Sequence, residues 1–373
     1  MKRIKKFYVI KAQAEHELEK EALKKIEAKI YKDIPLPPEP QKKIQDFIPK
    51  DTEYWHKYNQ AKTNEKRMFY LLLDDLLNMI PEPIHENGRP PVPIRDLLFC
   101  SCIKAYNNFS ARRISSDLQH AKSMGLIQKV PHYNTLLAFM NNEFLTEILN
   151  KLITITALPL KSVETDFALD SSGFGSYQYE RWVRVRFQRV LGHEYSKRNY
   201  VKAHIAVGTT TQIITAIEVT TGTSSDTKQL PFLVNKTHEN FEPKRWTADK
   251  AYSSRKNMQL IGSLEAIPFI AFKNNATGTS KGCPIWNAMF TYFQMYREQY
   301  DKFYHRRSLV ESTFSSVKRK YGEFLRCKNF ESQKNEVILK CICHNIATLV
   351  EEIYQNNINI NFNNSKSPFC DNK

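Results

Sequence analysis

The stretch from Tyr304 to Lys318, YHRRSLVESTFSSVK, places one glutamate among basic residues and hydroxyls. Read as a helix, it carries an apolar stripe of Leu309, Val310, Phe314 and Val317. Tyr304, Arg307, Glu311 and Lys318 then fall at offsets of 0, 3, 7 and 14, which stack them along one edge. A solvated edge laced by ion pairs between residues four apart explains that pattern without any function. The alternative is an edge turned toward a substrate.

The chain has 373 residues, more than one hydrophobic core usually serves, so two or three units are expected. A net charge of +16 and a pI near 9.4 favour a polyanionic partner, because neutralising phosphates releases their counterions. Nucleic acid is the expected partner; a merely soluble basic protein is the plainer reading. The sequence has no run of about 18 uncharged apolar residues. The opening MKRIKKFYVIKAQAEHELEK returns to charge too soon for a signal peptide. The expectation is a cytoplasmic, nucleoid-associated protein with no membrane partner. Seven cysteines, an odd number with no secretory signal, read as reduced thiols. Two pairs, Cys100 with Cys102 and Cys341 with Cys343, lie in apolar helical runs where i and i+2 side chains point apart. Zinc is therefore not expected there.

Residues 1–50 read as a basic helical arm ending in a proline-rich linker, DIPLPPEPQKK. Residues 51–158 are helical throughout. From Tyr54 to Ile80 the pattern suggests a helix pair. The segment from Leu97 to Asn142 suggests short helices around a turn at Gly125 and a helix opened by Pro131, His132 and Tyr133. That arrangement fits a helix-turn-helix that offers its last helix to DNA, or a helical unit that only packs on its neighbour. From Lys161 the texture changes to strands: SVETDFALDSS, two around the threonine-rich turn of YVKAHIAVGTTTQIITAIEVTTG, then KRWTADKAYSS and AIPFIAF. Helical patterns from Asp226 to Glu239 and from Ser253 to Leu264 separate the later ones. The expected fold is α/β, a mixed five-stranded sheet with flanking helices spanning 161–356 and preceded by an all-helical domain. Residues 357–373 are rich in asparagine and expected to be disordered.

Asp170 in LDSSG and Asp249 in TADKAY both sit where an apolar run gives way to small or polar residues. Ligand-handling side chains concentrate at such strand ends, because the sheet fixes them while the loop opens the site. With Glu311 they make three hard oxygen donors, a set suited to two Mg²⁺ or Mn²⁺ ions. Two ions about 4 Å apart can activate a hydroxyl on one side of a phosphodiester and stabilise the leaving oxygen on the other. Glu164, Asp166 and Asp226 compete for the same role, and capping or solvated aspartates are the common alternative. Arg181, Arg184 and Arg186 alternate with apolar residues in a basic run that also holds Trp182, Phe187, Tyr195 and Tyr200. The run reads as a backbone-tracking strand face or as a charge-protected edge.

The spacing around Glu311 resembles the signature of the DDE transposases of bacterial and archaeal insertion sequences. In that group two residues separate Tyr from Arg, three separate Arg from Glu and six separate Glu from Lys. Tyr304, Arg307, Glu311 and Lys318 meet each gap after two aspartates in the expected order. The resemblance spans about residues 54–350. It implies a ribonuclease-H-like catalytic domain, with Asp170, Asp249 and Glu311 as catalytic metal ligands. It also implies double-stranded DNA as substrate, both the element's terminal inverted repeats and the target, and cleavage with 3′-hydroxyl strand transfer. Pairing two ends implies a homodimer on DNA. Arg307 and Lys318 would hold phosphates near the metals, and Tyr304 would donate to a phosphate or stack on a base. The second acidic gap, 62 residues, leaves no room for a large β-rich insertion. A ribonuclease-H-like nuclease that cuts without joining, and a non-catalytic DNA-binding derivative, are the competing readings.

Overall fold

The central strand owes its place to its first residues: Phe167, Ala168 and Leu169 are wholly buried, as a strand covered on both faces requires. This strand, β1 (Asp166–Gly175), pairs antiparallel with β2 (Tyr200–Gly208) on one side. On the other it pairs parallel with β4 (Arg245–Ala248). β3 (Ile214–Thr221) lies antiparallel outside β2, and β5 (Ile267–Ile270) lies parallel outside β4. The order β3-β2-β1-β4-β5, with a meander followed by helical crossovers, makes this a ribonuclease-H-like α/β sheet. The computed structural model describes residues 52–83, 88, 90–175, 200–360 and 362. The arm at 1–50, the basic run carrying Arg181, Arg184 and Arg186, and most of the tail at 357–373 lie outside them.

Among the described residues, five helices precede the sheet: α1 (Thr52–Leu77), α2 (Ile94–Tyr106), α3 (Ser115–Ser123), α4 (Tyr133–Met140) and α5 (Glu143–Ala157). The pair expected from Tyr54 to Ile80 is a single helix of 26 residues. The run contains no glycine or proline, and Phe69, Leu72, Leu73, Leu76 and Leu77 keep one continuous buried face. His132 caps α4 by accepting from the Asn134 N–H at 3.3 Å, and Asn142 caps α5 from Phe144 N–H at 3.0 Å. In α4, Leu136 and Met140 are buried while His132, Asn134 and Thr135 are exposed.

Two crossover helices, α6 (Leu230–His238) and α7 (Arg255–Ser263), return the chain to β4 and β5. α8 (Pro284–Met295), α9 (Arg297–Tyr304) and α10 (Ser308–Tyr321) follow, so the second acidic gap is filled mostly by helix. The last helix, α11 (Phe330–Asn356), is buried along most of its length and packs on α1, α2, α5 and β3. One apolar core therefore runs from Phe69 of α1 through the sheet to Val350 of α11. Cys100, Cys102, Cys341 and Cys343 belong to that core. Burial pushes the Cys102 and Cys341 thiols up to about 12, which suits packing rather than metal binding.

The link between α10 and α11 is fixed by charges inside the core. Lys340 donates to the Gly322 and Phe324 carbonyls at 2.7 and 3.2 Å. Glu336 accepts from the Arg326 and Cys327 N–H groups at 3.1 and 2.9 Å, with Lys104 and Lys340 at 4.0 and 3.9 Å. Gly322 turns with φ of 85°, and a Cβ there would meet Asn108 at 2.3 Å, so only glycine fits.

Candidate active site

β1 leaves its parallel partner just before Asp170, and that departure builds the site. The last paired residues are Leu169 and Ala248, so Asp170 of β1 and Asp249 just beyond β4 each follow the final rung of the ladder, close enough for Asp249 to act on the Asp170 charge. Adjacent strands are about 4.8 Å apart. The sequence placed Asp170 at a strand end; β1 in fact continues to Gly175 against β2, and only its pairing with β4 stops. Asp249 does close β4, where it caps a short turn, Lys250–Tyr252, by accepting from the Lys250 N–H at 2.7 Å.

The third carboxylate comes from the signature. The helix expected from Tyr304 to Lys318 is broken: Tyr304 ends α9, His305–Arg307 form a tighter 3₁₀ turn, and Glu311 lies in the first turn of α10. Val310, Phe314 and Val317 are buried and hold α10 against β1 and β2, with Leu309 only partly covered. Phe314 meets Phe174 of β1 with ring centres 6.5 Å apart. That anchoring leaves Glu311 exposed, 54% of its side chain open. Arg307 joins the two elements, its guanidinium 3.1 Å from Asp170 Oδ2 and 2.7 Å from Glu311 Oε1.

Electrostatics tie these groups into one site. Burial raises the Asp170 carboxyl above its usual range, opposed by the Ser171 N–H and Arg307, and reinforced by Glu311 and Asp249. Burial works against the Arg307 charge, but Tyr304, Asp170, Glu311 and Asp249 outweigh it and raise the guanidinium further. Tyr304 is likewise raised by burial, against the pull of Arg307, and so stays a protonated donor. Lys318 donates to Ser172 Oγ at 2.8 Å and lies 5.2 Å from the Phe174 ring centre. Burial lowers its ammonium, with Glu323 opposing.

An open groove of about 570 Å³ follows this edge, lined by Asp170, Ser172, Glu311, Lys318, Arg319 and Phe324. Ser172, Arg319 and Phe324 were not singled out in the sequence. Ser172 had a signal, standing two residues beyond Asp170 on the same strand face. The rival carboxylates have other work. Glu164 is buried and accepts from the Thr210 and Thr211 N–H groups at 3.1 and 2.6 Å, closing the β2–β3 turn. Asp166 is buried between Arg245, at 3.0 Å, and Arg306. Asp226 pairs with Lys202 and accepts from Ser171 Oγ at 3.2 Å.

Among the described residues, no three His, Cys, Asp or Glu side chains converge closely enough to ring a metal ion; Arg307 stands between Asp170 and Glu311 instead. The donor set still fits a hard divalent cation. Two register-neighbouring carboxylates and a third one guanidinium away are all-oxygen ligands, and their mutual repulsion on Asp170 is relieved by positive charge. No helix among the described residues is long and apolar enough to cross a membrane.

Residues 161–346 match a family described as the transposase DDE domain, a region that takes in the sheet, the groove and Glu311. No curated protein and no solved structure matches the chain. The family match supports a transposase-type function, a class of enzyme that acts on DNA and generally uses divalent metals.

Proposed function

We propose that the chain is a DNA transposase of the insertion-sequence group marked by the Tyr304, Arg307, Glu311 and Lys318 spacing. It would cut one strand at each end of its element and join the freed 3′-hydroxyl to target DNA. The observation that supports the reading is that Asp170 and Asp249 each follow the last paired residue of β1 and β4, with Glu311 across the Arg307 guanidinium from Asp170. Asp170 and Glu311, 141 residues apart in sequence, line one groove, and Asp249 adds to the negative charge felt by Asp170.

Asp170, Asp249 and Glu311 are the residues that would hold two Mg²⁺ or Mn²⁺ ions, which when bound supply nucleophile activation and charge stabilisation at the leaving oxygen. The chain's own contribution is orientation and charge. β1 and β4 fix the two aspartates, and the buried face of α10 fixes Glu311. Arg307 offers guanidinium donors beyond the two it spends on carboxylates, matched to the oxygens of a phosphodiester. Lys318, held over Phe174 and tied to Ser172, adds a second positive charge two turns further along the groove. Tyr304 supplies a hydroxyl donor. Arg181, Arg184 and Arg186, and the exposed side of α4, are proposed to track DNA away from the cut. Pairing two ends calls for a dimer on DNA, in a nucleoid-associated cytoplasmic protein.

Incubating the full chain with Mg²⁺ and duplexes ending in the inverted repeats of its element tests this. Nicked ends together with joined products support the reading. Nicks without joined products, or binding alone, overturn it in favour of a nuclease or a DNA-binding derivative.

A further inference from the structure

Behind the two aspartates, on the opposite face of β1, lies a polar assembly that the catalytic reading leaves without a task. Ser171 borders the groove beside Asp170 and Ser172, but successive side chains of a strand point to opposite faces, so its hydroxyl turns toward Asp226. Its hydroxyl donates to Asp226 Oδ1 at 3.2 Å, while its N–H donates to Asp170 Oδ1 at 2.8 Å. Asp226 also pairs with Lys202 of β2 and lies 3.4 Å from Nδ1 of the fully buried His204. His204 is anchored in turn to Thr220 Oγ1 of β3 at 3.0 Å.

The turn that carries Asp226 is fastened to the turn that follows Asp249. Thr227 Oγ1 donates to the Ala251 carbonyl at 2.6 Å. Asn257, itself buried, donates from Nδ2 to the Thr227 carbonyl at 3.1 Å and the Tyr252 carbonyl at 2.9 Å. Asp249 caps the same Lys250–Tyr252 turn. The carboxylate of Asp226 thus reaches Asp170 through one residue, and the backbone next to it reaches Asp249 through one turn. β1 and β4 stop pairing at Leu169 and Ala248, so no ladder hydrogen bond sets the two aspartates against each other beyond that point.

We propose that Asp226 is a positioning residue which, through Ser171 on one side and the Thr227–Ala251 bond on the other, sets the spacing of Asp170 and Asp249 for divalent cations. The inference rests on the reading of Asp170, Asp249 and Glu311 as a metal-holding set. It explains why an aspartate this close to the site faces Lys202 instead of the groove. Partners that orient ligands in this way typically change metal affinity about 10- to 100-fold when removed.

The test is Mn²⁺ titration of the DNA-free full chain by calorimetry, alongside its melting temperature and its affinity for end DNA without metal. Asp226→Ala is expected to bind Mn²⁺ about 10-fold or more weakly, with DNA affinity unchanged. Asp226→Asn, which still accepts from Ser171, should fall between it and the wild type. Thr227→Val removes only the Ala251 bond and should weaken Mn²⁺ several-fold at an unchanged melting temperature, which decides the matter even where Asp226→Ala does not fold. Wild-type Mn²⁺ affinity in Thr227→Val, or in a folded Asp226→Ala, overturns the inference. If the wild type and Asp170→Asn take up Mn²⁺ alike, the metal-holding reading itself falls, which is a distinct failure.

Discussion

The clusters around Glu336 and around Arg307 both set carboxylates against cations, and they are built to opposite ends. Around Glu336, inside the core, one carboxylate faces Lys104 and Lys340 and accepts two backbone N–H groups. Burial opposes its charge, but these partners prevail and hold its carboxyl below the ordinary range. Around Arg307, at the groove, one cation faces Asp170 and Glu311 with Asp249 close by, and the Asp170 carboxyl is pushed up. The first cluster is saturated and holds a loop in place. The second carries more negative charge than its protein partners neutralise, and one of its members is open to solvent. A buried network that is complete stabilises; an exposed one that is incomplete is available to ions and phosphates.

The sharpest way to break this contrast is to remove the carboxylate charge from each cluster. Glu336→Gln leaves two buried ammonium groups uncompensated and should cost about 3–5 kcal/mol. Glu311→Gln should cost under about 1 kcal/mol, since its ion pair is exposed. Equal losses in chemical denaturation would erase the distinction. Arg307→Ala comes next: a drop in strand cleavage of about 100-fold is expected from losing a charge-stabilising donor, with little change in the melting temperature. Wild-type cleavage would show that Arg307 serves only its carboxylates.

A smaller effect concerns pH. Burial lowers His204 to about 4, with Asp226 opposing and Lys202 assisting. The folded pKa lies below the unfolded value, so the unfolded chain takes the proton first. His204 therefore contributes stability that is present above about pH 6.5 and is lost as pH falls toward 4, at no more than about 1.4 kcal/mol per pH unit. Denaturation midpoints of wild type and His204→Gln across that range should converge in acid; parallel curves would contradict this. The smallest expected change is in salt dependence. Lys318→Ala should reduce the slope of log DNA affinity against log salt by about 1 if it contacts a phosphate. An unchanged slope would confine Lys318 to its Ser172 bond.

Much of this was legible in the sequence where a pattern is local. The strands announced themselves as apolar runs closed by small residues, and the buried face of α10 by Val310, Phe314 and Val317. What was not legible depends on geometry between distant segments. The run from Tyr54 to Ile80 reads as a pair because its character shifts from amphipathic to strongly apolar, yet one buried face continues through both halves in a single helix. The 3₁₀ turn at His305–Arg307 keeps helical spacing close enough to hide in the pattern, yet it separates Tyr304 from Glu311 by an element boundary. Asp166, Glu164 and Asp226 looked like equals of Asp170 because all are acids near strand ends. Their roles diverge only once Arg245, the Thr210–Thr211 backbone and Lys202 are seen beside them. The same holds for Ser171 and Ser172, adjacent in sequence and on opposite faces of β1.

The central claim is that Asp170, Asp249 and Glu311 act together on DNA, and the most direct test is the cleavage rate of Glu311→Gln with end duplexes and Mg²⁺. The account predicts a fall of at least about 1,000-fold in both cleavage and joining, with the folded state and DNA binding retained. Cleavage at the wild-type rate by folded Glu311→Gln would contradict it.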